Sequence, residues 1–173
     1  VERVVLKSLA GMPKGEWETV DYIDADPALG EGMVPIRIKL TLDGNGIHYD
    51  LSGSAPAVST FLNSSYGTTH SAIYAGTKTF FPDVPLNSGF YRAVTANIGE
   101  EGSVVNAGWP HAVTGFCSGP YEKVMNGIFE LWSGVMPKRA MACAFNLEYL
   151  LIGGNDGRTG SGDYFMWYDW MAG

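Results

Sequence analysis

Three asparagines, each in a turn-like segment, are the main candidates in this chain for binding a ligand. They are Asn63, Asn87 and Asn106. A side-chain amide donates and accepts hydrogen bonds at the same time, which suits a cyclic amide or a carboxylate ligand. Asparagine also favours tight turns for purely structural reasons. The sequence leaves both interpretations open, and we take the three residues as candidate substrate-binding residues.

Two ionisable side chains are the candidate catalytic groups, because general acid–base catalysis needs a positioned proton donor or acceptor. His111 lies beside the Asn106 turn, whereas His48 falls on the polar face of a predicted hairpin and His70 at the start of a predicted helix. Glu122 opens another helical pattern, where a carboxylate complements the helix dipole even without a catalytic role. We therefore take His111 and Glu122 as candidates.

Other chemistries find little support in the residue spacing. No two histidines stand at the short spacing of a metal site, and Cys117 and Cys143 are too far apart in sequence to suggest one. We interpret both cysteines as buried thiols in a reducing compartment rather than as a disulfide. The Gly-rich segment 153–162 lacks the Gly-Lys-Ser/Thr ending of a phosphate-binding loop, and the pattern after it is strand-like. That segment is predicted to be a hairpin loop.

Alternating patterns predict the strands that position these residues. Residues 36–42 and 47–51 alternate apolar and polar side chains around the turn Asp43–Gly46, which predicts a β-hairpin with one buried face. Residues 94–98 alternate in the same way and lie between two Asn-containing turns. The turns 87–89 and 106–108 each end in glycine, and we expect positive φ within them.

The remaining patterns predict an α+β fold with antiparallel or mixed sheets, a buried central helix and one or two packing helices. Residues 121–136 form the most apolar helical pattern and are predicted to be the buried helix. A second helix is expected from a cap at Thr68 or Thr69 to Phe81, and a short one in the first dozen residues. Residues 17–23, 145–152 and 164–171 are predicted strands; the aromatic residues on both faces of the last one predict cover on both sides or a subunit interface.

Length and composition are those of one compact domain, which we divide into a hairpin-containing part, 1–53, and a helix and strand part, 54–173. The chain has 173 residues, 46% of them hydrophobic and 17% charged, and a net charge of −7. An acidic surface repels phosphate backbones, so nucleic-acid binding is disfavoured. No apolar run approaches the roughly 20 residues that span a bilayer. We expect a cytoplasmic protein, and because no initiator Met is present, an internal piece of a longer subunit.

Five short motifs, in order along almost the whole chain, resemble the hydantoinase B family. They are Asp50–Gly53 (D-x-S-G), an Asn-led loop at Asn63, Pro85–Gly89 (P-L-N-x-G), Glu101–Asn106 (E-G-S-x-V-N) and Gly154–Gly160 (G-x-D-x-R-x-G). The family includes large subunits of ATP-dependent N-methylhydantoinases, the C-terminal half of 5-oxoprolinase, and alpha-type subunits of acetone and acetophenone carboxylases. Each motif alone is weak, and their order carries the resemblance.

The resemblance implies a hetero-oligomer with a hydantoinase A-type subunit that binds ATP. In such systems ATP phosphorylates the oxygen of a cyclic amide or of an enolised ketone, and the activated intermediate is hydrolysed or carboxylated at the B-type subunit. Hydrolysis of a hydantoin, 5-oxoproline or another lactam is the first expectation for this chain. A divalent metal is compatible with the resemblance, with its ligands coming largely from outside this chain.

Two alternatives stay open at the level of sequence. The stretch of Trp109, Pro110 and His111, with residues 116–119, departs from the simpler Pro- and Ala-rich loop of ordinary hydantoinases. That departure favours a ketone carboxylase. The other alternative is a scaffold or interaction fragment without catalytic residues, in which alanine at Asn63, Asn87 and His111 leaves the activity of the complex intact.

Overall fold

A computed structural model describes residues 1–24, 32–114, 119–142, 147–158 and 160–172. The chain forms two compact units, Val1–Ala142 and Cys143–Gly173. Cys117 and Cys143, which the sequence predicts to be buried thiols, lie outside the described residues, as does the side chain of Trp170.

The described residues of the first unit form a four-stranded sheet and four α-helices. In chain order the elements are α1 (Glu2–Leu9), β1 (Gly15–Ile23), β2 (Val34–Leu42), β3 (Ile47–Asp50), α2 (Tyr66–Phe80), α3 (Ser88–Ala93), β4 (Val94–Asn97), α4 (Pro120–Val135) and a 3₁₀ turn (Pro137–Arg139). The α+β class with a mixed sheet is confirmed, and so is the predicted hairpin of β2 and β3.

The sheet order is β1-β2-β3-β4, and only the last pair of strands is parallel. Its register pairs Ile47 with Val94 and Asp50 with Asn97. A parallel connection needs a crossover, which α2 and α3 supply between the two strands. Because β3 and β4 run the same way, their carboxyl ends, and the loops that follow, meet at one edge of the molecule.

One face of the sheet is apolar and carries the helices. The alternate residues of β2 from Val34 to Leu42 are buried, as the sequence pattern predicts. Each fully buried aliphatic side chain contributes roughly 1.5–3 kcal/mol to folding. The helix α4 crosses this face so closely that a Cβ built on Gly127 would lie 2.6 Å from the Ile38 Cδ1 atom. The other face is polar and includes Arg37, Lys39 and Asp50.

A buried group of three polar side chains joins β3 to both long helices. The indole N–H of Trp132 in α4 donates to the Tyr49 hydroxyl at 2.7 Å. The same hydroxyl lies 2.8 Å from the hydroxyl of Thr77 in α2. Burial raises the pKa of the Tyr49 hydroxyl above its ordinary value, so the group stays protonated and keeps both bonds.

Three local sequence predictions were wrong in detail. Ser65, not Thr68 or Thr69, caps α2, because its hydroxyl accepts the Thr68 N–H. Asn87 does not form a positive-φ turn; it caps the short helix α3. The turn 106–108 lacks the expected positive-φ glycine, and the positive-φ glycines near β4 are instead Gly99 and Gly102, in the loop that follows the strand. A helix cap and a tight turn use the same residue types, so composition alone does not separate them.

The second unit is a β-hairpin of β5 (Leu147–Asn155) and β6 (Tyr164–Ala172). The predicted hairpin loop is therefore confirmed, and the Asp156 N–H donates to the Asp163 carbonyl across it. Tyr164 is 70% exposed and Trp167 is 47% exposed. The cover predicted for both faces of this strand stays a prediction. Among the described residues, no helix is both long enough and apolar enough to cross a bilayer.

The first prediction concerns the buried hydroxyl of Tyr49. Replacing Tyr49 by Phe removes the acceptor of the Trp132 N–H and leaves that donor buried without a partner. We expect the free energy of unfolding to fall by about 1–3 kcal/mol, measured by urea denaturation. Tyr22→Phe is the matched control, because Tyr22 lies at the surface and its loss of a hydroxyl should change stability by less than about 0.5 kcal/mol.

The pH dependence of the free energy of unfolding of Tyr49→Phe checks that the buried hydroxyl is responsible. The unfolded chain releases the tyrosine proton near pH 10, whereas the folded chain retains it to higher pH. This group's contribution is therefore complete below about pH 10 and is lost as the pH rises above that value. Tyr49→Phe should lose stability less steeply above pH 10 than the parent. Equal slopes would contradict the assignment.

The second prediction concerns the contact of α4 with the sheet. Gly127→Ala forces Ile38 out of its position, and we expect a loss of about 1–3 kcal/mol in urea denaturation. Gly67→Ala in the first turn of α2 is the control, because a Cβ there meets no atom within 4 Å. Alanine has the higher helix propensity, so the control should be neutral or stabilising by up to about 1 kcal/mol. Two equally destabilised variants would contradict this packing.

Candidate functional site

The loops at one end of the first unit bring three of the five motifs together. We call this region, residues 51–65 and 98–114 with the first turns of α2 and α4, the loop end. It lies where β3 and β4 both finish. The start of α4 is at the same end, because Lys123 pairs with Asp21 near the end of β1, and Gly119 lies beside Leu62.

Asp50 and Asn97 form the base of the loop end, since they are paired across the ends of β3 and β4. The Asn97 amide donates to the Asp50 carboxylate at 3.2 Å. The same carboxylate accepts the Ser52 N–H at 2.9 Å, which turns the chain immediately after β3. The Asn97 side-chain oxygen accepts the Gly99 N–H and turns the chain after β4. Two short turns are thus fixed by one hydrogen-bonded pair.

The loop after β4 folds back on itself. Gly99 has φ 76° and Gly102 has φ 109°, values that a residue with a Cβ rarely adopts. The Asn106 amide donates to the Gly99 carbonyl at 3.0 Å, and the Gly102 N–H donates to the Asn106 carbonyl. The side chain of Glu101 lies against Gly108, in the space that a Cβ would fill. These contacts explain the type of residue at each of these positions.

An open cavity of about 490 Å³ lies between the two turns. Its lining includes hydroxyl groups, an amide, carboxylates and glycine backbone, contributed by Ser52, Ser54, Pro56, Asn97, Gly99, Glu100, Glu101, Gly102 and Ser103. The Ser103 hydroxyl is buried and has no hydrogen-bond partner within the part of the chain that the structure describes. The cavity therefore offers donors and acceptors suited to a small polar ligand, such as an amide.

Asn63 is the most buried of the predicted site residues, and its amide is used within the chain. The side-chain oxygen accepts the Val58 N–H at 2.8 Å. The side-chain nitrogen lies 2.9–3.0 Å from the carbonyls of Val58, Thr60 and Ala112. These bonds tie residues 58–63 to residue 112. Its substrate-binding role stays a prediction, and the geometry explains the residue by its structural role.

Asn106, His111 and Glu122 also belong to the loop end. Asn106 uses its amide nitrogen to hold the loop, as described above. His111 is exposed, and its backbone N–H donates to the Gly108 carbonyl. Glu122 lies in the first turn of α4 and is half-buried. Both candidate catalytic residues therefore belong to the loop end, and neither is among the residues that line the cavity.

Asn87 lies at the opposite end of β4 from Asn106. Its side chain accepts the Gly89 N–H at 2.9 Å as the cap of α3. Gly89 packs against Val1 and Glu2 at the start of α1. The structure therefore does not bring Asn87 together with the other asparagines. The sequence places the two turns on either side of one strand, and the strand separates them in space.

The other two histidines make local contacts. The His48 Nδ1 atom lies 2.7 Å from the Thr95 hydroxyl, and its Nε2 atom lies 3.4 Å from the Asp43 carboxylate. The Asn45 backbone N–H, and more weakly His48, lower the pKa of Asp43. The His70 Nδ1 atom lies 3.0 Å from the Tyr66 carbonyl, one turn earlier in α2. Among the residues with described positions, no group of His, Cys, Asp and Glu has the arrangement of a metal site.

Sequence reasoning missed Ser52, Asn97 and Ser103 as cavity residues. Ser52 and Ser103 lie inside motifs that carry the family resemblance, so a signal for them was present. Asn97 had no such signal, because its place beside Asp50 depends on the parallel pairing of β3 and β4. That pairing joins residues 47 positions apart along the chain.

Comparison with known proteins agrees with this architecture. The beta subunit of caprolactamase from Pseudomonas jessenii is 27% identical over 157 residues, 90% of this chain and 27% of that protein. A putative B-type subunit of a D-/L-hydantoinase from a Pseudomonas species is 24% identical over 186 aligned positions, 99% of this chain and 30% of that protein. The crystal structure of ATP-dependent caprolactamase from Pseudomonas jessenii superimposes with a TM-score of 0.71 and 26% identity, over 94% of this chain and 28% of that chain.

The chain spans less than a third of the length of these relatives. The profile of the family described as Hydantoinase B/oxoprolinase matches residues 1–173, the whole of the sequence. The motifs, the mixed sheet and the similarity to a solved caprolactamase agree with that match. This chain belongs to the hydantoinase B/oxoprolinase family.

Proposed function

We propose that this chain is part of the B-type subunit of an ATP-dependent complex that hydrolyses a cyclic amide. The observation that carries the proposal is the family match together with the open cavity where two of the family motifs meet. Similarity to a caprolactamase, in both sequence and structure, favours a lactam as the substrate class. The cytoplasm, where ATP is available, is the proposed compartment.

The proposal assigns ATP binding to a partner subunit of the hydantoinase A type. Transfer of the γ-phosphoryl group to the lactam oxygen would convert a poor electrophile into one with a good leaving group. Water would then attack the ring carbon that carries the phosphorylated oxygen, and the ring C–N bond would break, with the proton passing to the released amine. The resulting acyl phosphate would be hydrolysed by a second water to phosphate and the free carboxylate. The B-type subunit must hold the activated ring and limit stray water.

Within this chain, the proposed contacts to the ring come from the loop-end cavity. The buried Ser103 hydroxyl is a neutral group that can bond to an amide N–H or carbonyl. Glu100 and Glu101 add carboxylate acceptors at the rim of the cavity. His111 and Glu122 stay the candidate catalytic residues, because both lie at this end. Asn87 caps α3 and lies away from this cavity, so it is not among the proposed contacts, and its substrate-binding role stays a prediction.

The third prediction tests the reaction. The full-length subunit that contains this chain, combined with its nucleotide-binding partner, should convert caprolactam or 5-oxoproline to the ring-opened amino acid. The reaction should require ATP and no bicarbonate, and it should release one phosphate per ring opened. Product formation is measured by mass spectrometry and phosphate release by a coupled assay.

Omitting ATP, or the partner subunit, provides the controls for this experiment. Activity with acetone or acetophenone that depends on added bicarbonate would instead support the carboxylase alternative. A complex that binds ATP but converts neither class of substrate would contradict the proposed function.

The fourth prediction tests the cavity. Ser103→Ala removes a hydroxyl that bonds to no described group, so stability should change little. Loss of one neutral hydrogen bond to the substrate, worth about 0.5–1.5 kcal/mol, should lower kcat/KM about 3- to 10-fold. Ser88→Ala, in the exposed first turn of α3, is the matched control and should leave kcat/KM unchanged.

Variants of Ser103 and His111 separate this proposal from a scaffold role, and a variant of Asn87 serves as a stability control. Asn87→Ala should cost about 1 kcal/mol of stability as a lost helix cap, with kcat/KM unchanged. His111→Ala should lower kcat without lowering stability, because the side chain is exposed. If Ser103→Ala and His111→Ala both retain full activity, the scaffold alternative is favoured and the catalytic assignment fails.

A further inference from the structure

A second cavity, of about 430 Å³, lies on the polar face of the sheet. Its charged lining residues are Glu18, Arg37, Lys39 and Asp50, and the turn after β3 contributes Ser52 and Gly53. It borders the loop-end cavity at Ser52, which lines both. None of the five family motifs and no predicted site residue explains the Arg37 side of this cavity.

Most charges in the cavity already have partners. Lys39 bonds to Glu16 at 2.7 Å and lies 3.9 Å from Glu18. Asp50 accepts hydrogen bonds from Ser52 and Asn97. The guanidinium of Arg37, in contrast, makes no hydrogen bond or ion pair with any described residue. A guanidinium carries five N–H donors, and no described residue accepts any of them here.

The backbone of Arg37 is fixed by hydrogen bonds on both sides of the strand. Its N–H donates to the Ser54 hydroxyl at 3.1 Å, and that hydroxyl lies 3.3 Å from the Arg37 carbonyl. On the other side, Arg37 pairs with Val20 of β1. The aliphatic part of the side chain passes over Gly53, since Cδ lies 3.5 Å from a Cβ built there. The guanidinium is therefore attached to a rigid strand at a fixed turn.

The same turn supplies two further donors. The Ser52 hydroxyl has no hydrogen-bond partner in the described part of the chain, and neither has the Gly53 backbone N–H. The Ser52 N–H and the Ser54 N–H are both used, by Asp50 and by the Leu51 carbonyl. The cavity thus combines a guanidinium, a hydroxyl and a backbone N–H, which are the groups that bind oxyanions in proteins.

We propose that Arg37, Ser52 and the Gly53 N–H form a binding site for an oxyanion, either a carboxylate or a phosphoryl group. The site lies beside the loop-end cavity, and Ser52 lines both. The inference concerns binding alone and does not rest on the proposed hydrolase activity.

The charges around the cavity determine how strongly we expect an oxyanion to bind. The four charged residues that line the cavity sum to zero net charge, so the attraction is local to Arg37 rather than a field of the whole surface. Arg37 is exposed, and salt screens an exposed charge beyond about 8–10 Å. We therefore expect millimolar dissociation constants that increase with ionic strength.

The fifth prediction tests this site with inorganic phosphate and acetate as probes. The full-length subunit that contains this chain should broaden the ³¹P signal of phosphate, and saturation transfer should reach the methyl group of acetate. Both effects should saturate with added ligand at constant ionic strength maintained with chloride. Tighter binding of phosphate would identify a phosphoryl group as the natural ligand, and tighter binding of acetate a carboxylate.

Variants decide whether the signal comes from Arg37. Arg37→Gln should weaken binding by at least tenfold, and Arg37→Lys should give an intermediate value, because lysine keeps the charge but not the planar pair of donors. Arg3→Gln, an exposed arginine of α1 outside the cavity, is the matched control and should bind as the parent does. A circular dichroism spectrum identical to the parent's shows that each variant is folded.

Two results would overturn the proposal. One is a ligand signal that does not saturate at constant ionic strength, which would mean general attraction of anions. The other is equal binding by the Arg37→Gln and Arg3→Gln variants. Failure of the lactam hydrolysis assay with retained binding would refute the proposed function alone, so the two proposals can fail independently.

Discussion

The hydroxyl of Tyr49 is the interaction on which the rest of the first unit depends. It receives the Trp132 N–H and meets the Thr77 hydroxyl, so one strand residue fixes the rotation of both long helices about their axes. The helices could otherwise slide on an apolar sheet, because hydrophobic contact is non-directional. A buried polar group has no alternative partner in an apolar core, so its hydrogen bonds specify one arrangement. Since β3 ends one residue after Tyr49, the same constraint fixes where the loop end begins.

The position of the cavity follows from the parallel pairing of β3 and β4. Two parallel strands deliver their carboxyl ends to the same edge, and Asp50 and Asn97 meet there because of the register. Each uses a side-chain oxygen to turn the chain that follows it. The loops then leave the sheet in fixed directions and border the open cavity. A site built on strand ends in this way inherits the rigidity of the sheet, which favours precise placement of hydrogen-bonding groups.

Local patterns in the sequence predicted most of the fold, and the long-range contacts explain what they could not predict. Alternation identified the hairpin of β2 and β3, and the apolar stripe identified α4 within about a residue of its true bounds. The role of Asn63 was out of reach, because its partner Ala112 is 49 residues away. Likewise, the buried Ser103 hydroxyl and the meeting of Asp50 with Asn97 exist only after the crossover through α2 and α3 is made. The short motifs therefore identified the family, but they did not identify the side chains that line the cavity.

The asparagines of the first unit show how a single residue type serves different structural roles in one fold. Asn63 has its amide nitrogen and oxygen fully engaged by backbone, so binding a ligand would require breaking bonds that hold its own loop. The Asn87 side-chain oxygen accepts a hydrogen bond from the Gly89 N–H at the N-terminus of α3, at the other end of β4. Asn97, which the motifs did not mark, holds the turn that opens the cavity. A residue that holds the walls of a cavity is costly to use as a ligand, because the geometry it provides would change on binding. The Ser103 hydroxyl and the Arg37 guanidinium, in contrast, make no hydrogen bond with any described residue, so they could bind a ligand without breaking one. Donors without a partner in the described chain are therefore the candidates for ligand contacts that disturb this fold least.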